Sequence, residues 1–327
     1  MSTIVPVTAL IPTIREVTAT TVSALDQLTA IRDAMLTVGS RWKSTLSTVN
    51  GSNQVIALVL EYGSMQLCLR ATTTTQLLCS LHPEGGIDSS NIANPVTATG
   101  STERSINGYT GGTNLLPLTD RRIQIAELEG AISIFFRNSA GAWVAGIHAG
   151  IIYYGDNKND ADKGFEGYGI LIGRPGIYTT NTSDTTAAAF ARGCWLNRQF
   201  FSTLEPSLAG SVVRVPGNVW KNITYYGVSN LFTADTDETI AKPNDVNGNP
   251  RLQPVKITER TVLAETPYSN SVIGSLKFVR NTNAPPVQII DSDQYWASNH
   301  FKQTATSGAL AFDVRNLVFV WNKNYPL

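Results

Sequence analysis

Residues 54–70 read QVIALVLEYGSMQLCLR, and this stretch decides the fold class. The first apolar run, Gln54–Glu61, is typical of a buried strand, and Met65–Arg70 is typical of a partner strand. Between them, Gly63 and Ser64 predict a turn. The stretch therefore predicts two strands that follow one another in an antiparallel sheet.

The pattern continues on both sides of this pair. A strand is predicted at Trp42–Val49, followed by the turn signal Asn50-Gly51, and another strand at Gln76–Leu81, which together make a β-meander. Downstream, Gly150 is expected to separate two strands. The further predicted strands are Arg122–Leu128, Ala131–Arg137, Ala142–His148, Ile151–Tyr154, Ser211–Val215, Asn222–Tyr226, Val255–Leu263, Val272–Val279, Gln288–Ile290 and Leu317–Trp321.

Composition agrees with a β-rich protein. Only 15% of the 327 residues are charged, and Thr, Ser, Asn and Gly, which favour strands and turns, take their place. We expect a mainly β fold of short-stranded antiparallel sandwich-like or barrel-like domains, with one N-terminal amphipathic helix and an extended N-terminal arm. The predicted segments are 1–40 (arm and helix), 41–205 (β-rich with long loops) and 206–327 (β-rich); the last two could also form one continuous domain.

The predicted arm comprises residues 1–19. Pro6 and Pro12 prevent a helix there, although the segment is rich in apolar side chains. Two placements are open: the arm lies on its own domain, or it docks on a neighbouring subunit.

Residues 21–38 predict a helix, because apolar residues recur at spacings of three and four. Thr20 or Thr21 is expected to cap its start and Gly39 its end. The apolar stripe can pack on the chain's own sheet or on partner helices. The predicted assembly contacts in the arm and helix are Ile4, Val5, Leu10, Ile11, Ile14, Leu25, Leu28 and Ile31.

Charge and hydropathy limit the classes of partner that the sequence predicts. The 25 basic and 25 acidic residues balance, and no run of Lys or Arg occurs, so direct binding to nucleic acid is not expected. No apolar stretch approaches 18 residues and the N-terminus lacks a basic region, so neither a membrane span nor a signal peptide is predicted.

Cysteine and histidine usage provides no catalytic signature. Cys68, Cys79 and Cys194 are odd in number, and we expect buried thiols in a reducing compartment rather than disulfides. The three histidines, His82, His148 and His300, do not stand at metal-ligand spacing, and His148 is expected to be a core residue. Because nucleophile and phosphate-binding motifs are absent as well, the sequence predicts a protein that is not an enzyme.

One polar run could bind a metal. Asp160, Asp162 and Glu166 offer carboxylate oxygens at alternate positions, as calcium loops do. Gly164 occupies the third ligand position, however, and breaks the EF-hand pattern. The run predicts either a solvated polar turn or a calcium site, and no other cofactor is expected.

The order of segments resembles virion structural proteins of tailed bacteriophages, of the tail, baseplate or fibre-attachment type. It consists of AISIFFRNSAGAWVAGIHAGIIYYGDNKNDADKGFEGYGILIGRPG, then VIGSLKFVR and finally ALAFDVRNLVFVW. The resemblance implies a non-enzymatic tail, baseplate or connector subunit that binds copies of itself and other virion proteins. Such a subunit is made in the host cytoplasm and ends in the virion.

The alternative is a carbohydrate-binding or hydrolase module that acts on a cell surface. A convergent pair of carboxylates in a deep cleft would favour that alternative. Buried arms and extensive flat contacts would favour the structural subunit.

Overall fold

The structure is a computed structural model, and it describes twelve stretches of the chain. They are residues 13–106, 121–127, 130–137, 143–156, 165–173, 211–215, 218–225, 253–259, 271–279, 287–290, 293–298 and 316–321. Within them the chain is mainly β, with two antiparallel sheets and one helix, as the sequence predicts. No helix in these stretches is long and apolar enough to span a membrane.

The elements are numbered in chain order. They are β1 (Thr13–Thr18), α1 (Ala24–Met35), β2 (Lys43–Val49), β3 (Val55–Tyr62), β4 (Met65–Ala71), β5 (Leu77–His82), β6 (Arg104–Ser105), β7 (Arg122–Glu127), β8 (Ala131–Arg137), β9 (Trp143–Asp156), β10 (Phe165–Gly173), β11 (Ser211–Val215), β12 (Val219–Tyr225), β13 (Gln253–Glu259), β14 (Ser271–Val279), β15 (Val287–Ile290), β16 (Asp293–Ser298) and β17 (Asn316–Trp321).

The smaller sheet has five strands in the order β2-β3-β4-β5-β6. The predicted meander is confirmed, since β2 to β5 follow one another and Tyr62 pairs with Met65 across the turn at Gly63 and Ser64. One face of this sheet packs into the main core. Its other face is covered by the segment that follows β5, whose Ile87 and Ile92 pack against Val59. Burial on both faces explains why these strands read as continuous apolar runs.

The larger sheet has twelve strands in the order β1-β7-β8-β9-β10-β11-β12-β13-β14-β17-β16-β15. It takes strands from all three predicted segments, 1–40, 41–205 and 206–327. The boundaries between those segments stay a prediction.

Both sheets contribute apolar side chains to one core. This arrangement is expected for two sheets packed face to face, and it supports the predicted sandwich. The core includes Leu28 and Ile31 of α1, Leu58, Leu60 and Leu67 of the smaller sheet, and Ile123, Ile134 and Ile147 of the larger sheet.

The strand β9 corrects the sequence analysis. Gly150 does not separate two strands, because β9 continues from Trp143 to Asp156 and pairs with β8 and β10 through that position. Gly150 has a φ of +124°, and a Cβ there would lie 2.2 Å from the carbonyl oxygen of Gly130. Glycine is present because the backbones approach closely, not because the strand ends.

The helix is shorter than predicted at its start. Ser23 caps it, with Oγ accepting a hydrogen bond from the backbone N–H of Asp26 at 3.1 Å. The predicted cap at Thr20 or Thr21 is therefore wrong. Thr21 instead donates its hydroxyl to the side chain of Asp26, so it supports the cap from outside the helix.

The helix also ends earlier than predicted, at Met35, with Leu36 as its C-cap. Gly39 has a φ of +92° but lies beyond the cap, in the turn that leads to β2. Leu28 and Ile31 point into the core, so the stripe packs on the chain's own sheets.

Part of the predicted arm is a strand. Thr13–Thr18 forms β1 and pairs with β7 from Thr13 opposite Glu127 to Thr18 opposite Arg122. The sequence analysis missed β1, and it also missed β6, β10 and β16. Residues 1–12 lie outside the described residues, so an extended arm there stays a prediction.

Candidate functional site

The predicted calcium ligands fall mostly outside the described residues. Asp160 and Asp162 are not described, and Glu166 lies on β10 opposite Tyr153. Within the described stretches, no group of three or more His, Cys, Asp or Glu side chains could hold a metal ion. The calcium site stays a prediction.

The two described cysteines are buried and unpaired with each other, as expected. Burial raises the pKa of the Cys68 thiol to about 12, and it raises the pKa of the Cys79 thiol as well. Because the thiolate is the reactive form, both thiols are unreactive at neutral pH. Cys194 and His300 lie outside the described residues.

Two Ser–His pairs form that sequence spacing did not reveal. Ser133 Oγ lies 2.8 Å from His148 Nδ1 on the neighbouring strand, and Ser80 Oγ lies 2.9 Å from His82 Nε2 on the same strand. His82 Nδ1 also lies 2.9 Å from Thr97 Oγ1.

Burial decides what these pairs can do. Ser80, His82, Ser133 and His148 all have 0% exposure. Desolvation lowers the pKa of His82 to about 4 and that of His148 to about 3, so both rings are neutral at neutral pH. A substrate cannot reach either pair in this conformation, and both serve packing.

A buried carboxylate holds the edge of the larger sheet. Glu127 is fully buried at the end of β7. One oxygen accepts a hydrogen bond from Arg15 Nε at 2.9 Å, and the other accepts from the backbone N–H groups of Arg41 at 2.7 Å and Trp42 at 2.9 Å. We call these residues the Glu127 junction. The junction joins β1, β7 and the start of β2.

Arg15 extends this junction to the helix. Its Nη1 donates to Thr37 Oγ1 at 2.8 Å and lies 3.4 Å from the carbonyl oxygen of Ala34. Beside these two residues, Leu36 is 63% exposed and Val38 is fully exposed. Two apolar side chains therefore stand in solvent on either side of Thr37, the residue that Arg15 contacts.

β1 is one end of the larger sheet. The Ala19 N–H donates to the Arg121 carbonyl oxygen at 2.8 Å, which continues the register of β1 and β7. In an antiparallel pair the bonded positions alternate, so the N–H and C=O groups of positions 13, 15 and 17 face β7. Those of positions 14, 16 and 18 face the outer edge.

The described sheets have three other ends. β6 has two residues and β15 has four. β2 has seven residues, but its pairing with β3 shifts register between Ser44 and Leu46 and again between Thr48 and Val49. Such bulges blunt an edge against strand addition, whereas β1 keeps one register over its six residues.

A second junction joins the segment after β5 to β11 and β12, and we call it the Glu84 junction. Arg214 Nη1 donates to Glu84 Oε1 and stands 5.8 Å from the ring centroid of Tyr168. Trp220 Nε1 donates to the Thr99 carbonyl oxygen at 2.8 Å. The Glu84 side chain is 51% exposed, in contrast to Glu127.

The predicted assembly residues have different environments. Ile4, Val5, Leu10 and Ile11 lie outside the described residues, and Ile14 lies on β1. Leu25 is partly buried, whereas Leu28 and Ile31 are buried in the core and therefore occupied within the subunit.

The sequence analysis overlooked Glu127 and Arg15. A signal existed in RIQIAE, because an alternating strand with Ile123 and Ile125 inside places position 127 inside too. A glutamate there requires a buried cation or several donors.

Comparison with protein-family models finds no match, and comparison with curated protein sequences finds none either. The resemblance to tailed-phage structural proteins therefore stays a prediction.

Proposed function

We propose that this chain is a non-enzymatic structural subunit that binds neighbouring subunits, and that its assembly is a viral particle of the tailed-phage type. The observation that supports the proposal is that β1, which ends the larger sheet among the described residues, keeps one register over its six residues. Edge strands present backbone donors and acceptors that a further strand can satisfy.

The surroundings of this edge also support the proposal. Arg15 is held by Glu127, which fixes β1 on its own sheet. Leu36 and Val38 add exposed apolar surface on either side of Thr37, which Arg15 contacts. A rigid strand with exposed apolar side chains on the segment that its arginine contacts is suited to binding another protein, since little conformational entropy is lost on association.

Among the described residues, nothing comparable supports the carbohydrate-binding or hydrolase alternative. Trp220 and Tyr168, aromatic side chains of the Glu84 junction, pack against the core. The carboxylates of Glu84 and Glu127 are each engaged by an arginine.

Sedimentation velocity of the purified full chain over a wide concentration range tests the proposal. We expect self-association into a defined oligomer, and electron microscopy of that oligomer should show repeated copies. A chain that stays monomeric at every concentration and instead binds or cleaves cell-surface glycans would contradict the proposal and favour the alternative.

A further inference from the structure

We infer that residues 83–103 form a strap over the outer face of the smaller sheet, and that acid releases this strap through His82. The outer face is the one turned away from the main core. On it Val59 and Cys68 pack against Ile87 of the strap. At neutral pH the chain therefore covers this apolar face itself. The inference goes beyond the proposed function and does not depend on it.

The two ends of the strap meet at His82. Its neighbour Leu81 points into the main core, so the ring of His82 lies on the outer face. There Nε2 lies 2.9 Å from Ser80 Oγ of the same strand, and Nδ1 lies 2.9 Å from Thr97 Oγ1 of the strap.

The backbone of the strap also passes close to this ring. A Cβ at Gly100 would lie 2.1 Å from His82 Nδ1, so only glycine permits the approach. The sheet lies on one side of the ring and the strap on the other, and the ring has 0% exposure. Water can therefore reach His82 only when the strap moves.

A proton on His82 would place a positive charge where no counter-charge meets it. Among the described residues, the ring bonds only to the hydroxyls of Ser80 and Thr97. The carboxylates described on the surrounding elements already accept hydrogen bonds from other side chains; they are Glu61, Glu84, Asp88 and Glu103. The cations described there, Arg70, Arg104 and Arg214, would not stabilise a charged ring. The protonated ring is therefore favoured in water, after release of the strap.

The direction and the pH range follow from the two environments of the ring. Burial lowers the pKa of His82 to about 4 while the strap is closed, and a ring in water has a pKa of about 6.5. As the pH falls below about 6.5, proton uptake favours the released strap, and the effect levels off below about pH 4. From pH 7 to pH 5, the ratio of released to closed strap should rise about twentyfold.

The two described cysteines allow release to be measured in the full chain. Cys68 lies on the outer face opposite Ser80, whereas Cys79 lies in the main core on the other face. The chain is treated with dithiodipyridine, a thiol reagent that acts in acid, at pH 7, pH 6 and pH 5. Mass spectrometry of peptides assigns the label, and each rate is divided by the rate of free cysteine at the same pH.

We expect the relative rate at Cys68 to rise about twentyfold from pH 7 to pH 5, while the rate at Cys79 stays unchanged. His82→Gln cannot take up the proton and should abolish the rise. The inference would be overturned by no rise at Cys68, by an equal rise in His82→Gln, or by a parallel rise at Cys79, which indicates unfolding of the whole core.

A second pair of variants tests the contact with the histidine in place. Thr97→Val removes the hydroxyl at the ring, and Thr102→Val, at an exposed position of the strap, is the matched control. Circular dichroism and melting temperature establish that both keep their fold. Loss of this hydrogen bond should speed labelling of Cys68 at pH 7 about fivefold in Thr97→Val, with no change in Thr102→Val. Equal rates in the two variants would overturn the inference and leave the proposed function standing.

Discussion

The Glu127 junction and the Glu84 junction each join distant parts of the chain through a carboxylate and an arginine, yet they differ in burial. Glu127 is fully buried and has three donor residues, of which two act through backbone N–H groups. Glu84 keeps half of its side chain in solvent and accepts from Arg214.

This difference separates two kinds of stabilisation. A buried carboxylate has lost its water, so each protein donor replaces a bond that water would otherwise make, and removing any partner is costly. A half-exposed carboxylate such as Glu84 keeps part of its water, so removing it costs less, although its partner Arg214 is itself buried. We therefore expect β1 to depend on Glu127 far more than β11 depends on Glu84.

The largest effect is expected from Glu127→Ala. The substitution leaves Arg15 and the N–H groups of Arg41 and Trp42 without their acceptor in a buried site. We expect a loss of about 3–5 kcal/mol in the free energy of unfolding, measured by urea denaturation. Faster hydrogen exchange in β1 should accompany this loss. A loss below about 1 kcal/mol would show that the junction does not hold the edge.

An intermediate loss of stability is expected when acid protonates His82. This ring is hydrogen-bonded to Thr97 and supports the segment that carries Thr99 in the Glu84 junction. Burial lowers the pKa of His82 to about 4 in the folded chain, whereas the unfolded chain takes up the proton near pH 6.5. The contribution of His82 is therefore complete above about pH 6.5 and is lost as the pH falls towards about 4.

We expect the free energy of unfolding to fall by up to about 1.4 kcal/mol per pH unit for this histidine within that window. Denaturation at several pH values should show a shallower fall for His82→Gln than for the unmodified chain. His148, whose pKa is lowered to about 3, remains in both proteins and contributes equally. Identical pH profiles would show that the pKa of His82 is the same in the folded and the unfolded chain.

The smallest effect is expected from Glu84→Gln. Gln keeps an oxygen that can accept from the buried Arg214 Nη1, and the Glu84 side chain is half exposed, so we expect a loss of about 1 kcal/mol or less in urea denaturation. Trp220→Phe, which removes the hydrogen bond to Thr99 in the same junction, is the matched comparison and should cost about 1 kcal/mol. If Glu84→Gln proved as damaging as Glu127→Ala, burial would not be what distinguishes the junctions.

Local sequence patterns were sufficient to predict much of the smaller sheet. The strands β3 and β4 and the turn between them follow from QVIALVLEYGSMQLCLR, because turn chemistry and strand propensity act over neighbouring residues. The helix was also predicted from its period, but its ends were placed wrongly. Ser23 is the N-cap because its side chain accepts from the Asp26 N–H, and Leu36 is the C-cap because its N–H donates to carbonyl groups of the last turn. The predicted caps, Thr20 or Thr21 and Gly39, do not make these contacts.

β1 was mistaken for part of an arm, because its strand character depends on β7, more than 100 residues away in the sequence. Gly150 was taken as the end of a strand because its close approach to Gly130 is invisible without the fold.

The sequence by itself determined a mainly β chain with one amphipathic helix, since periodicity and composition are local properties of the residues. Only the tertiary structure decided which strands form the edges, which carboxylate is buried and which histidines are neutral. Each of these depends on groups far apart in the sequence, and their energies are set by the water that folding removes.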